Sequence, residues 1–144
     1  MFAWHGDLLY LSGHLPITTD GEILTGTLAS GDAAAAAAST SSSQKLVGLD
    51  DGYAAARWCA LNMVSTLKAE LGDLDRVDKV VKLLGVVQST ADFQEHHLVM
   101  NGCSDALMEI FGGDVGYHAR SAIGTNALPL DVPVEVEMIV RVKP

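Results

Sequence analysis

The 144-residue sequence carries only two cysteines, four prolines and nine basic side chains, the last set against eighteen acidic ones for a formal net charge of −9. Cys59 and Cys103 form no C-x-x-C pair and sit in helical patterns, so they are expected to be reduced, buried small hydrophobes, and no disulfide framework is expected. With so little Lys and Arg and no cluster of them, a surface that tracks a phosphate backbone is missing, and no nucleic-acid partner is expected. No segment approaches the roughly 18 consecutive apolar residues that cross a bilayer. Met1 leads straight into Phe2-Ala3-Trp4-His5 without the basic start of a signal peptide, so no membrane partner is expected and the cytoplasm is the default compartment. The patterns G-x-G-x-x-G, G-x-x-x-x-G-K-[ST], H-E-x-x-H and G-x-S-x-G are absent too, which removes the commonest nucleotide, zinc-protease and serine-hydrolase readings.

What is present is apolar. Hydrophobic residues make up 49% and charged ones 19%, enough for one domain over residues 1–144 to bury a core. Asp7 to Gly13 reads as a short buried strand, and the Asp20-Gly21 turn is expected to bring Glu22 to Gly26 back as its antiparallel partner. Between Gly31 and Gly48 stand six consecutive alanines and a serine run, a composition with nothing to pack; a low-complexity, mobile insertion at about 31–47 is expected.

Asp50 is the predicted N-cap of an amphipathic helix through Tyr53, Ala56, Ala60, Val64, Leu67 and Leu71, ending at Gly72. Val77 to Val87 reads as a core strand. A second helix carries Leu107, Ile110 and Phe111, with Gly112-Gly113 as its stop; its start is either a cap at Asn101 or a single helix from Asp92, and Gly102 favours the break. His118 to Ala127 and Val132 to Val142 close the chain as two strands. The order β-β-α-β-α-β-β gives an α+β fold of two layers, with helices on one face of a sheet.

Glu95-His96-His97 offers adjacent rather than convergent side chains, so no metal is expected there. Cys103-Ser104-Asp105 has no base identifiable from sequence, which leaves Cys103 to core packing. Glu135 and Glu137, two apart on a strand, share a face: an exposed edge-strand face or a carboxylate held in a cleft. Arg120 stands alone in a strand otherwise poor in charge and needs an anion, either Glu135 or Glu137 in a structural pair or the acid group of a substrate.

The segments Ser12-Gly13-His14-Leu15-Pro16, Asp20-Gly21-Glu22, Leu71-Gly72-Asp73-Leu74-Asp75-Arg76-Val77, Ala119-Arg120-Ser121, Leu128-Pro129 and Val134-Glu135-Val136-Glu137 resemble the YjgF/RidA family in order and spacing from end to end. Asn101-Gly102-Cys103-Ser104-Asp105, Ile110-Phe111-Gly112 and His118 to Gly124 resemble a divergent branch of it. The resemblance implies a chorismate-mutase-like two-layer sandwich assembled as a homotrimer, with a central sheet barrel and clefts between subunits. It implies cofactor-free hydrolysis of reactive enamines and imines of the 2-aminoacrylate type to 2-keto acids and ammonia; the alternatives are a non-catalytic binder of small carboxylates in the same cleft and, from the family's older label, an endoribonuclease.

Residue by residue, the resemblance makes Arg120 the grip on the substrate carboxylate and Glu135 the group that positions or activates water, with Glu137 as a second, more structural carboxylate. Ser12 matches a cleft serine near substrate or water. Ala122 stands where archetypes carry a cysteine, at a place where the family uses mainly backbone contacts. The archetypal cleft tyrosine lies before the segment matching Gly6, and Trp4, Tyr117 and Phe111 are the aromatic candidates for its role.

Overall fold

A glycine at position 6 with a φ of 61° reverses the chain between two strands, and this is the first hairpin of the fold. The computed structural model describes residues 1–31 and 45–144. In chain order the elements are β1 (Phe2–His5), β2 (Leu8–His14), β3 (Thr27–Leu28), β4 (Leu46–Val47), α1 (Leu49–Leu71), β5 (Val77–Gln88), α2 (His96–Gly116), β6 (Ala119–Thr125) and β7 (Val134–Val142), with short 3-10 turns at Leu74–Arg76 and Pro129–Asp131. Five strands form one sheet in the order β1-β2-β7-β5-β6, in which only β5 and β6 run parallel. The main sheet and the two helices therefore reproduce the expected β-β-α-β-α-β-β order in an α+β fold.

The core lies between the sheet and α1 and α2. On β7 the alternation is strict: Val134, Val136, Met138, Val140 and Val142 are buried towards the helices, while Glu135, Glu137, Ile139 and Arg141 take the opposite face. Leu83 and Val87 of β5, Leu9 and Leu11 of β2, and Ala56, Cys59, Met63, Met100, Cys103 and Leu107 of the helices complete it. Each large side chain so buried contributes about 1.5–3 kcal/mol relative to exposure. Neither helix is long and apolar enough to cross a membrane.

Several local expectations give way. The partners of β2 are β1 and β7, not Glu22 to Gly26; around the Asp20-Gly21 turn the antiparallel pairing is the single bridge Ile17↔Ile23. A turn dipeptide reverses a chain without supplying the residues for a ladder. The expected insertion at 31–47 is too long at its far end, because Leu46 and Val47 pair in parallel with Thr27 and Leu28 as β4; the Ala/Ser stretch at 32–44 lies outside the described residues. Asp50 is inside the first turn of α1 rather than at its cap, which is Gly48, and it serves the positive end of the helix dipole together with Asp51.

Gly102 does not break α2. The helix runs through it from His96 because a Cβ there would overlap the Tyr53 carbonyl of α1, so glycine at this point is what lets the two helices approach. The expected stop at Gly112-Gly113 is a kink, with Gly112 at φ 76° and a last turn reaching Gly116.

Candidate functional site

β6 is the last strand of the sheet, and among the described residues its outer edge carries no partner. Thr125 turns its carbonyl inward to accept from Ser89 N–H at 3.0 Å, so strand alternation turns the N–H and C=O of Arg120 and Ala122 outward to that free edge. Arg120 is in register with Leu83, which is fully buried, and in-register neighbours share a face. The Arg120 side chain thus rises on the helix side of the sheet and meets α2. Its Nη1 donates to Ser104 Oγ at 2.9 Å, and its Nη2 donates both to the His97 carbonyl at 2.9 Å and to Asn101 Oδ1 at 2.8 Å.

All three acceptors are neutral, and among the described residues no carboxylate pairs with Arg120. Of the five guanidinium N–H donors, Nε–H and one on Nη1 are left over. The structural pairing of Arg120 with Glu135 or Glu137, one of the two options open in the sequence, is not what the chain does.

Behind Ser104 stands His118. Its Nδ1 lies 2.5 Å from the Gly116 carbonyl and its Nε2 lies 2.9 Å from Ser104 Oγ. A carbonyl only accepts, so the proton belongs on Nδ1, and Nε2 accepts from the Ser104 hydroxyl. The serine lone pairs are then aimed at Arg120. Burial first, then the charges of Arg120 and Lys79, lower the His118 pKa against the opposing pull of the Gly116 carbonyl, so the imidazole is neutral at pH 7. Cys103, one residue away, is fully buried, and burial pushes its thiol up to about 12, which rules it out as a nucleophile. Cys59 is equally buried, and both thiols are free.

The other half of the expected site is on the opposite face of the sheet. Glu135 is in register with Val86 and Glu137 with Leu84, residues of the parity opposite to Leu83. The β2–β7 register shifts between Leu11 and His14, and this bulge sets Ser12 and Gly13 against β7 beside the two glutamates. The carboxyl of Glu135 occupies the space a Cβ on Gly13 would fill. Burial first, and the neighbouring Glu137 second, raise the Glu135 pKa, and among the described residues no cation forms a salt bridge with it of the kind that the balanced general-base environment called for. A concavity of about 310 Å³ opens on this face among Tyr10, Ser12, Lys82, Leu84, Glu137 and Ile139.

Within one chain the structure therefore brings Ser12, Glu135 and Glu137 together on the open face, and Arg120 with Ala122 at the sheet edge, and it does not join the two groups. The Ala122 side chain packs against the core. Of the aromatic candidates, Trp4 donates to Glu70 Oε1 on α1 at 2.9 Å, Phe111 packs against the core, and Tyr117 lies 5.7 Å beneath Lys79 Nζ. The aromatic beside Ser12 is Tyr10, whose alternation with Leu9 and Leu11 was the available signal. His97, Asn101 and Ser104 were likewise missed; their i, i+4, i+7 spacing marks one polar stripe on α2. His96 bonds Ser89 Oγ at 3.0 Å, and among the described residues no three His, Cys, Asp or Glu side chains converge as metal ligands.

Residues 6–141 match the model of the family described as YjgF/chorismate mutase-like, putative endoribonuclease. The chain belongs to this family. A relative is protein TCP17 of Trypanosoma cruzi, 41% identical over 140 residues that cover 97% of this chain and 78% of that protein. Among solved structures, Atu1372 of Agrobacterium tumefaciens, of unknown function, superposes with a TM-score of 0.83 at 36% identity, covering 99% of this chain and 82% of that one. A Shewanella oneidensis protein described as a putative endoribonuclease gives a TM-score of 0.80 at 28% identity, covering 98% and 83%. The YjgF/RidA family includes both deaminases and proteins labelled endoribonucleases.

Proposed function

We propose that the protein hydrolyses reactive enamine and imine intermediates of the 2-aminoacrylate type to 2-keto acids and ammonia, without a cofactor. The observation that carries this reading is the Arg120 guanidinium, held at an open sheet edge by neutral acceptors alone, so that its charge is left for an external carboxylate. The outward N–H and C=O of Ala122, two residues along the same edge, are placed to orient the C=N group of a molecule whose carboxylate sits on Arg120. The enamine tautomerises to the imine as its nitrogen loses a proton and its terminal carbon gains one. Water then adds to the imine carbon with one proton passing to nitrogen, and as the carbinolamine hydroxyl passes its proton to the amino group the C–N bond breaks, leaving the C=O of the keto acid and ammonia. Positioning supplies most of the effect.

Glu135 is the proposed water-activating group and Ser12 its hydrogen-bonding neighbour. Because Glu135 and Arg120 are on opposite faces of one sheet, a second copy of the chain supplies one of them, and a homotrimer with clefts between its subunits is the assembly we propose. The sheet face opposite the helices, on which Tyr10 and Ile123 are exposed and which no described residue covers, supports it. That same separation favours a second reading, a binder of small carboxylates that uses the Arg120 edge without turnover. Ribonuclease action is the weakest of the three, since a net charge of −9 gives RNA no basic track.

The test is to generate 2-aminoacrylate and larger imines enzymatically and follow keto-acid release with wild-type protein and Arg120→Ala. Acceleration that depends on Arg120 supports hydrolysis. Binding of the keto acid without acceleration for any imine selects the carboxylate binder, and turnover retained by Arg120→Ala overturns the assigned role of Arg120. Sedimentation separates trimer from monomer.

A further inference from the structure

An arginine that is to hold a substrate carboxylate faces two opposing demands. Its long side chain must be fixed, because an untethered guanidinium loses rotamer entropy on each binding event. It must also stay unneutralised, because an internal carboxylate would compete with the ligand for the same donors. Sequence alone suggests an acidic partner for Arg120; the structure uses a carbonyl, an amide and a hydroxyl instead, all from one stripe of α2.

Each acceptor has a specific cause. The His97 carbonyl is in the first turn of α2, Asn101 is one turn on, and Ser104 is one turn further, all facing β6. The azimuth of that stripe is set by Gly102, whose missing side chain seats α2 directly on the Tyr53 backbone. The Ser104 hydroxyl donates to His118 Nε2, which turns its lone pairs to Arg120, and His118 is oriented in turn by the Gly116 carbonyl. The chain from Gly116 through His118 and Ser104 to Arg120 contains donors and acceptors in strict succession and no negative charge.

We propose that Asn101 and Ser104 are positioning residues that fix the Arg120 guanidinium for an incoming small carboxylate while leaving its charge uncompensated, with His118, itself bonded to the Gly116 carbonyl, holding Ser104 in its accepting orientation. This rests on the reading of Arg120 as the carboxylate grip.

Asn101→Asp discriminates this role from a merely structural one. The substitution is nearly isosteric and replaces a neutral acceptor at 2.8 Å with an anionic one, so the hydrogen bond to Arg120 is strengthened while the positive charge is cancelled. If Asn101 only props up the side chain, ligand binding survives or improves. If it must stay neutral, binding of the probe, pyruvate, weakens by about tenfold or more while the thermal midpoint is not lowered.

Titration calorimetry with pyruvate on wild type, Arg120→Ala, Asn101→Asp and Ser104→Ala reads this out, with Ser104→Ala expected to bind several-fold more weakly. Pyruvate binding by Asn101→Asp within twofold of wild type, alongside loss in Arg120→Ala, overturns the positioning proposal and leaves the carboxylate grip standing. Absence of pyruvate binding by the wild type, or binding that Arg120→Ala leaves intact, overturns both. Should Asn101→Asp fail to fold, Ser104→Ala decides: binding equal to wild type overturns the proposal.

Discussion

Gly13 and Glu135 occupy one volume between them: the glutamate carboxyl lies where a side chain at position 13 would begin. Glycine is present at this bulge to admit the acid, not to relieve φ, since Gly13 is absent from the positive-φ positions. A methyl group there meets only the far end of a flexible side chain. Gly13→Ala is therefore expected to leave the fold intact, with a change in thermal midpoint of a few degrees at most, while displacing Glu135. Its imine turnover should fall as far as that of Glu135→Gln, and the double variant should be no worse than either. Kinetics of the three variants check this, and an additive double-variant loss would break the link between the two positions.

Glu135 also has a signature in stability. Its folded pKa is raised above the ordinary value of 4.5, first by burial and then by Glu137, so the folded chain holds this proton more tightly than the unfolded one. Stability contributed in this way is fully present below 4.5 and is lost as pH rises through the raised folded value. Glu135→Gln carries no such titration. Its thermal midpoint should match the wild type near pH 4 and exceed it modestly at pH 7, and a gap that fails to widen with pH would contradict the shift.

The strands with period-two burial are legible in the sequence. β7 alternates over nine residues and β5 carries a long apolar run, so both stand out, as does α1 with its recurring Ala, Val and Leu positions. β1 gives no signal because all four of its residues are exposed and no alternation is written into Phe2-Ala3-Trp4-His5. β3 and β4, two residues each, are defined by a pairing across a stretch of sequence and not by their own pattern.

The site divides in the same way. Arg120 and Glu135 are given roles by a motif likeness, whereas the likeness covers Asn101, Ser104 and His118 without a role, which comes from α2 lying over β6 at one particular rotation. The facing of Arg120 away from Glu135 follows from strand register, which no local window contains.

That rotation of α2 is itself testable through Gly102. A Cβ at this position overlaps the Tyr53 carbonyl, a backbone atom that cannot rotate away as a side chain would. Gly102→Ala raises helix propensity by about 1 kcal/mol in isolation, yet the clash forces the helices apart. A net destabilisation of about 2–3 kcal/mol is expected from overpacking. Pyruvate affinity should fall with it, because the stripe holding Arg120 rotates out of place. Chemical denaturation and calorimetry measure both, and a stabilised variant would show that the helix contact is looser than described.

Three histidines set the behaviour of the fold towards acid. His14, His96 and His118 each have a pKa lowered from 6.5, with burial the leading cause in all three. The unfolded chain therefore takes up protons in a range where the folded chain resists them. Stability is fully present above 6.5 and is lost as pH falls below it through the depressed folded values. The contribution of Glu135 runs in the opposite sense, so the Glu135→Gln background isolates the histidines.

In that background the thermal midpoint should fall steadily from pH 6.5 to about pH 5. Adding His118→Gln, which retains an acceptor for the Ser104 hydroxyl but does not titrate, should lower the midpoint at pH 7 and flatten the acid slope. An unchanged slope would mean that His118 is protonated in the folded state at these pH values. Nε2 would then donate to Ser104, the serine lone pairs would be shared between two cationic neighbours, and the neutral route from Gly116 to Arg120 would not exist.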